Sequence, residues 1–284
     1  MKRGMISLLS QLYHLIDFGS RKQESQFENG VLIISVDVDV GSKSIAEINR
    51  NQNDANVHDL FSEFEVGEIE EMAVPPLIQL LEDLEIPATF AIRGQLADTD
   101  GSMLELFKRA TVKHDIGAHG YSHRVFTSLS KSEAENELRM ISKAMKKFQI
   151  EPKSFVFPKN RVAHLSLLEK YGYKCYRGID GFKHDRLYIE KHGQLYDVHS
   201  SFFLGWSSTS LCLNRIIDIS TRRKLPFHIW FHPLDLGRDK PAVQKKLDRF
   251  LLPLLKHAKK KEKEGKLSFE TMTSAVEKLE ETNS

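Results

Sequence analysis

Short apolar strands alternate with amphipathic helices along most of this sequence. Residues 31–36 form a continuous apolar run rich in β-branched side chains, which is typical of a strand buried on both faces. Comparable runs recur at 88–92, 154–157 and 226–232, and segments with a helical period separate them. This alternation predicts parallel strands joined by helical crossovers.

About seven such strand and helix units can be distinguished, and the chain of 284 residues is long enough to place them in one large domain. No Gly-x-Gly-x-x-Gly or Walker sequence opens any unit, which argues against an open nucleotide-binding sheet. We therefore predict an α/β protein with a closed or nearly closed parallel (β/α) barrel of about seven strands. Residues 1–30 are predicted to form an N-terminal helix and linker, and residues 31–284 the main domain.

Charge and cysteine content exclude some classes of function. The chain has 41 Lys and Arg against 39 Asp and Glu, so its net charge of +2 gives no general attraction for nucleic acid. The basic run at 259–263 is interrupted by an acidic residue and is predicted to be a solvated helix face. Cys175 and Cys212 each lie in an apolar segment, which predicts reduced thiols and an intracellular protein.

The N-terminus has the pattern of an amphipathic helix rather than of a cleaved signal peptide. Polar residues interrupt its apolar run, and no cleavage motif of small residues follows. The helix is predicted to pack on the domain, with contact to a membrane surface as the alternative. The expected location is cytoplasmic, either free or peripheral to the inner membrane face.

Side chains suited to catalysis follow three of the predicted strands. Asp37 and Asp39 come directly after the first strand, His119 and His123 follow a later one, and His232 ends another. Each has a plainer interpretation, since acidic residues commonly end strands and histidines commonly lie on surfaces. Because the carboxyl ends of barrel strands converge on one rim, however, these five side chains are expected to lie together.

One carboxylate and the histidine pair would make an Asp/His/His metal site with open coordination positions. Zinc is the metal expected for one carboxylate and two imidazole ligands, with iron, cobalt or manganese as alternatives. The remaining carboxylate and histidine are the kinds of base and acid that hydrolysis of an amide or ester requires.

Four segments in order resemble the polysaccharide deacetylases, which share the nodulation-factor deacetylase homology domain. Residues 35–39 are similar to the family's first motif, 88–94 to its second strand, 119–123 to its metal motif and 225–232 to the strand that carries its acid. The resemblance covers roughly residues 31–280. It implies a distorted barrel and metal-dependent removal of N-acetyl groups from sugars.

The resemblance also implies roles for individual residues. Asp39, His119 and His123 would bind the metal, and Asp37 would take a proton from the attacking water. The acid that protonates the leaving amine would be His232. The backbone N–H of Lys159, just after Pro158, would help to hold the oxyanion.

The sequence departs from the family at three places. Val156 stands where the family has an arginine, which leaves Lys159 or Arg161 to supply the charge that orients the base. Gly120 replaces the usual Ser or Thr after the first metal histidine. For His232 no acidic partner is evident from the motif, and Asp197 is the candidate.

Two alternatives to an N-deacetylase of an aminosugar remain at this point. One is a deformylase or another linear-amide hydrolase on the same barrel. The other is a non-catalytic carbohydrate-binding protein, in which Trp206 and Trp230 could stack on sugar rings, although packing is the commoner fate of tryptophan. A polar loop at 41–67, which follows the first strand, is expected to shape the choice of sugar. The pattern makes no prediction of oligomeric state.

Overall fold

The computed structural model describes residues 24–39, 72–99, 101–179, 187–204, 211–237 and 239–283. The predicted N-terminal helix and the polar loop at 41–67 lie outside these residues, as does Trp206. The end of the predicted linker packs on the domain, because Phe27 is buried and Gln26 exchanges hydrogen bonds with the backbone of Ile189.

Ten strands of the described residues form one sheet. In chain order they are β1 (Gly30–Val38), β2 (Thr89–Ile92), β3 (Asp115–Ala118), β4 (Ser154–Arg161), β5 (Cys175–Ile179), β6 (Ile189–His192), β7 (Leu195–Val198), β8 (Phe202–Phe203), β9 (Pro226–Phe231) and β10 (Leu267–Glu270). Their spatial order is β6-β7-β5-β4-β3-β2-β1-β9-β8, and β10 pairs with β1. All neighbours are parallel except β6, which runs antiparallel to β7.

Contacts across the sheet show that it curls into a barrel. Arg177 on β5 hydrogen-bonds Asp37 on β1, although β5 and β1 are four strand positions apart. In a flat sheet those strands would be separated by roughly 19 Å, farther than an arginine side chain reaches. On the other side, the His228 ring on β9 lies 3.2 Å from the carbonyl oxygen of Val198 on β7.

The barrel prediction is therefore confirmed, while the number of strands was too low at about seven. The additional strands include β6 and β8, both in the segment 177–210, where the sequence pattern is weak. The edge strand β6 is mostly polar, and β8 has two residues, so neither carries the continuous apolar run of a buried strand.

Alternate residues of β1 pack into two different apolar clusters. Leu32, Ile34 and Val36 pack outward with the surrounding helices. Val31 and Ile33 pack inward, in a cluster that includes four residues of the last helix. The last helix thus covers the amino-terminal end of the barrel. The polar side chains lie at the carboxyl end.

The described residues also form nine α-helices. They are α1 (Val74–Asp83), α2 (Gly94–Thr99), α3 (Ser102–Arg109), α4 (Lys131–Lys146), α5 (Leu165–Lys170), α6 (Leu211–Arg223), α7 (Lys240–Lys246), α8 (Leu252–Lys263) and α9 (Met272–Asn283). A π-helical turn at Leu247–Leu251 separates α7 from α8, next to Pro253, which has no N–H to donate to the helix ladder.

Two further expectations concern cysteines and the membrane. Both cysteines are free thiols, Cys175 buried and Cys212 partly buried, as predicted. Among the described residues, no helix has the length and apolarity that crossing a bilayer requires.

Candidate active site

Asp39, His119 and His123 meet at the carboxyl end of the barrel. Their ligand atoms all lie within 4.8 Å of one another, and all three side chains are buried. The Nε2 atoms of His123 and His119 lie 3.2 Å and 3.7 Å from Oδ2 of Asp39. The structure thus brings together the three residues that were predicted as metal ligands.

The chemistry of these three residues fits a divalent cation. Nδ1 of His119 lies 2.8 Å from the carbonyl oxygen of Val156, which can only accept, so the proton is on Nδ1 and Nε2 keeps its lone pair. Burial lowers the pKa of His123 to about 4, which makes its ring neutral. Both carboxylate oxygens of Asp39 are buried without a hydrogen-bond partner among the described residues. Such electron-pair donors facing one another need a cation to satisfy them.

The segment that joins the two histidines is an irregular turn and not a turn of regular helix. Gly120 and His123 both have left-handed backbone, with φ of +68° and +61°. A Cβ at Gly120 would lie 3.3 Å from the Pro158 ring, so glycine suits both the φ and the space. This turn brings the two imidazole rings to 4.8 Å between centroids.

Glu137 on α4 holds that turn in place. Its carboxylate accepts hydrogen bonds from the backbone N–H groups of Tyr121 at 2.9 Å and Ser122 at 2.8 Å, and from the Ser122 hydroxyl at 2.5 Å. The prediction from sequence missed this residue. A signal was present, since Glu137 lies on the apolar face of α4 between Ala134 and Leu138, where an acid needs a buried partner.

Replacing Glu137 with glutamine is expected to weaken metal binding. The amide keeps one acceptor but cannot receive all three hydrogen bonds, so the turn should loosen and cation affinity should fall about 10- to 100-fold. Titration with zinc against a chromophoric chelator measures the change. Glu133→Gln is the matched control, because Glu133 lies on the same helix but pairs with Arg124 and caps the helix at Ser130. Equal affinities for the two variants would contradict the role given to Glu137.

Asp37 is paired with a buried arginine from the opposite side of the barrel. One guanidinium nitrogen of Arg177 donates to Oδ2 of Asp37, and the other donates to the Ser35 hydroxyl at 2.8 Å. Burial alone would raise the pKa of Asp37, but the charge of Arg177, together with that of His232, holds it below its ordinary value. Asp37 is therefore a carboxylate at neutral pH.

Arg177 supplies the charge that was expected from Lys159 or Arg161, so that expectation was wrong. Val156 and Arg177 are direct partners in the register of β4 and β5. Partners in adjacent parallel strands point to the same face, so the guanidinium enters the barrel beside the position where the family has its arginine. The sequence alone does not show this, because the register of two strands is a tertiary property.

We expect Arg177→Gln to lower turnover about 10- to 100-fold while the metal stays bound, because the base loses its orienting charge. Steady-state kinetics with metal analysis on the same sample measures both quantities. Arg161→Gln is the control and should stay within about twofold of the unaltered protein. If Arg161→Gln lowered turnover more than Arg177→Gln did, Arg161 would be the residue that orients Asp37.

The acidic partner of His232 is Asp235, and the prediction of Asp197 was wrong. Oδ2 of Asp235 lies 2.8 Å from Nδ1 of His232 and accepts its backbone N–H at 2.8 Å. Asp197 instead lies 3.6 Å from His199. A short helical turn at Pro233–Asp235 brings the carboxylate back, and the sequence His-Pro-x-Asp is the signal of a capping box that could have identified it.

The environment of His232 keeps its ring protonated. Burial by itself would lower the pKa of His232, but the carboxylates of Asp39, Asp235 and Asp37 raise it to about 9. The ring also meets the Trp230 ring edge to face, at 5.6 Å between centroids. Trp230 in turn packs on the Arg177 guanidinium at 4.5 Å, so this tryptophan packs against the site itself.

Strand β4 continues past its apolar run at 154–157 and ends in an irregular segment. The pairing with β5 shifts between Val156 and Arg161, and Lys159 and Asn160 both have φ of +54°. The Asn160 side chain accepts a hydrogen bond from Arg177 at 3.4 Å. The bulged backbone lies beside the Asp37 and Arg177 pair, and the role of the Lys159 N–H stays a prediction.

Comparison with known proteins relates the chain to one family. A family model described as polysaccharide deacetylase matches residues 52–176, a segment that contains His119 and His123 but not Asp37, Asp39 or His232. No curated protein matches the sequence closely enough to count as a relative.

Solved structures share the fold at low sequence identity. One from Mycobacterium smegmatis, described as a polysaccharide deacetylase, has 14% identity and a TM-score of 0.57, covering 89% of this chain and 96% of its own. A 4-alpha-glucanotransferase from Thermococcus litoralis has 13% identity and a TM-score of 0.60, covering 88% and 40%. A CE4 family pseudoenzyme from Bacillus anthracis has 12% identity and a TM-score of 0.52, covering 87% and 65%. At these identities the likeness establishes the fold alone.

Proposed function

The resemblance to the polysaccharide deacetylases is confirmed by the family match, and from it we propose that the protein is a metal-dependent hydrolase that removes N-acetyl groups from an aminosugar. The substrate would be a polysaccharide or a glycan precursor. One observation carries the proposal: the ligand atoms of a buried Asp/His/His set lie within 4.8 Å of one another, and the Asp37–Arg177 and His232–Asp235 pairs lie at the same end of the barrel.

A divalent cation held by Asp39, His119 and His123 would supply Lewis acidity, which activates a water molecule and polarises the acyl oxygen. Asp37 accepts the proton of the attacking water, since Arg177 keeps its carboxylate ionised and oriented. His232 donates a proton to the leaving amine, and Asp235 holds the ring in position for that transfer. Attack by water requires the base, and departure of the amine requires the acid, so both groups are required.

The Lys159 backbone N–H would donate to the developing oxyanion. The bulge at the end of β4 takes this residue out of regular pairing with β5, because the register moves directly from Val156–Arg177 to Arg161–Ile179. A backbone N–H outside the regular hydrogen bonds between strands is available to donate to a substrate oxygen.

Hydrolysis is favoured over carbohydrate binding without catalysis. A binding protein has no need of a buried carboxylate paired with Arg177 or of a histidine whose charge is maintained by Asp235. Buried charges are costly to keep, so their presence in one site favours an acid and base in use. The pseudoenzyme among the structures that share the fold shows that the barrel alone does not determine whether a protein is catalytic.

Acetyl and formyl groups differ by one methyl group, so a deformylase remains the second candidate among hydrolases. We propose a cytoplasmic location, or one peripheral to the inner membrane face, which favours nucleotide-linked or lipid-linked aminosugars over mature wall polymers. Contact of the N-terminal helix with the membrane belongs to the same proposal.

A release screen tests the proposed function. The protein is incubated with nucleotide-linked, lipid-linked and oligomeric N-acyl aminosugars in the presence of zinc, cobalt or manganese, and acetate and formate are quantified. Acetate is the expected product. Formate would support the second candidate, and tight sugar binding with no acid released would show a binding protein.

A further inference from the structure

Three buried groups behind Asp37 form a hydrogen-bonded chain across the barrel. The Nδ1 atom of His228 lies 3.2 Å from the Val198 carbonyl oxygen, and its Nε2 lies 2.7 Å from the Ser35 hydroxyl. Ser35 also receives the 2.8 Å hydrogen bond from Arg177. Ser35, Arg177 and His228 have no exposed surface, and they lie on three different strands, β1, β5 and β9.

The direction of every hydrogen bond in this chain follows from its two ends. A guanidinium can only donate, so Ser35 accepts from Arg177 and its own O–H is left to donate. The Val198 carbonyl can only accept, so the His228 proton is on Nδ1 and Nε2 accepts from Ser35. Each of these three hydrogen bonds then has one donor and one acceptor, with no spare proton between them, if the His228 ring is neutral. Burial, with the nearby Arg177 charge, lowers the pKa of His228 to about 3, in agreement with that assignment.

We propose that Ser35 and His228 are positioning residues, which fix the Arg177 guanidinium and through it the orientation of Asp37. The inference rests on the proposed function, because it assigns these residues to the same reaction. Neither residue touches the metal ligands or the substrate space through its hydrogen bonds. Their effect should therefore be confined to turnover.

The structure also explains why Arg177 needs such support. Its contact with Asp37 spans four strand positions, and its side chain approaches from the opposite side of the barrel. A long side chain has many rotamers, and each wrong one would leave a buried carboxylate without its partner. Ser35 fixes one nitrogen of the guanidinium while the other nitrogen meets Asp37.

Kinetics of three single variants and one double variant test the proposal. Ser35→Ala should lower kcat about 10- to 100-fold, the usual range for a group that orients a catalytic residue, with KM and metal content nearly unchanged. Ser35→Thr, which keeps the hydroxyl, should restore most of the activity. His228→Leu should lower kcat similarly, and adding it to Ser35→Ala should cost little more, because both changes break one chain.

The matched control is Ser220→Ala. It also removes a buried serine hydroxyl, which in this case donates a hydrogen bond to the Leu225 carbonyl oxygen. It should leave kcat within about twofold of the unaltered protein. A Ser35→Ala enzyme as active as this control would overturn the proposal, as would a loss confined to KM or to metal content.

An NMR measurement keeps this inference separate from the proposed function. If the unaltered protein releases no acid from any sugar, the proposed function fails but the chain can still be examined. The ¹⁵N shifts of His228 at pH 7 should show a neutral ring protonated on Nδ1, and the Nε2 shift should move in Ser35→Ala. A charged ring or an Nε2–H tautomer would overturn the chain itself.

Discussion

A double variant carrying His119→Ala and His123→Ala is expected to lose its divalent metal and all measurable deacetylation. Each change removes one of three protein ligands, and Asp39 alone cannot hold a cation at micromolar concentration against water. Metal content by mass spectrometry should fall from about one cation per chain to near zero. The fold should survive, because the two rings lie at the rim and not in either apolar cluster.

The control for this variant changes two histidines outside the site. His192 is exposed and His257 pairs with Asp218, so alanine at both should leave metal content unchanged. Far-UV circular dichroism and thermal melting show whether each protein is folded. A folded double variant of His119 and His123 that retained one cation per chain would place the metal elsewhere.

Asp37→Asn is expected to lower turnover by about 10²-fold or more while the metal stays bound. The amide cannot take a proton from water, but it preserves the size of the side chain and one oxygen for Arg177. KM should change little, because the substrate is bound by other groups. Metal analysis and steady-state kinetics on one preparation measure both effects.

Asp98→Asn is the control, since Asp98 is an acid at the protein surface that accepts from Tyr121 and pairs with Lys147. It should keep nearly full activity. If Asp37→Asn lost metal and activity in equal proportion, Asp37 would be a ligand instead of a base.

The sequence predicted the parts of the site that depend on local pattern. Asp37, Asp39 and His232 were found because each follows a strand whose buried run is visible in the sequence, and parallel strands place those ends on one rim. The pair at His119 and His123 was found because it follows a predicted strand and is similar to the metal motif of the family. The turn that joins these two histidines was not predicted, because left-handed backbone at His123 is uncommon for a residue other than glycine.

The parts that the sequence did not predict depend on tertiary contacts. Arg177 reaches Asp37 only because the sheet curls and because β5 pairs in register with Val156 of β4. Glu137 acts on a turn that precedes it by fifteen residues or more, across the space between α4 and β3. By contrast, Asp235 was within reach of sequence reasoning, since its capping box with His232 is local.

We propose that Asp39, His119 and His123 hold the cation on which amide hydrolysis depends. The most direct test measures acetate and free amine together, with an N-acetyl aminosugar that the release screen identifies. The protein is first stripped of metal by a chelator and then restored with zinc. We expect no product from the stripped protein and equal amounts of acetate and amine after restoration. Acetate release that continued at the same rate without metal would contradict this proposal.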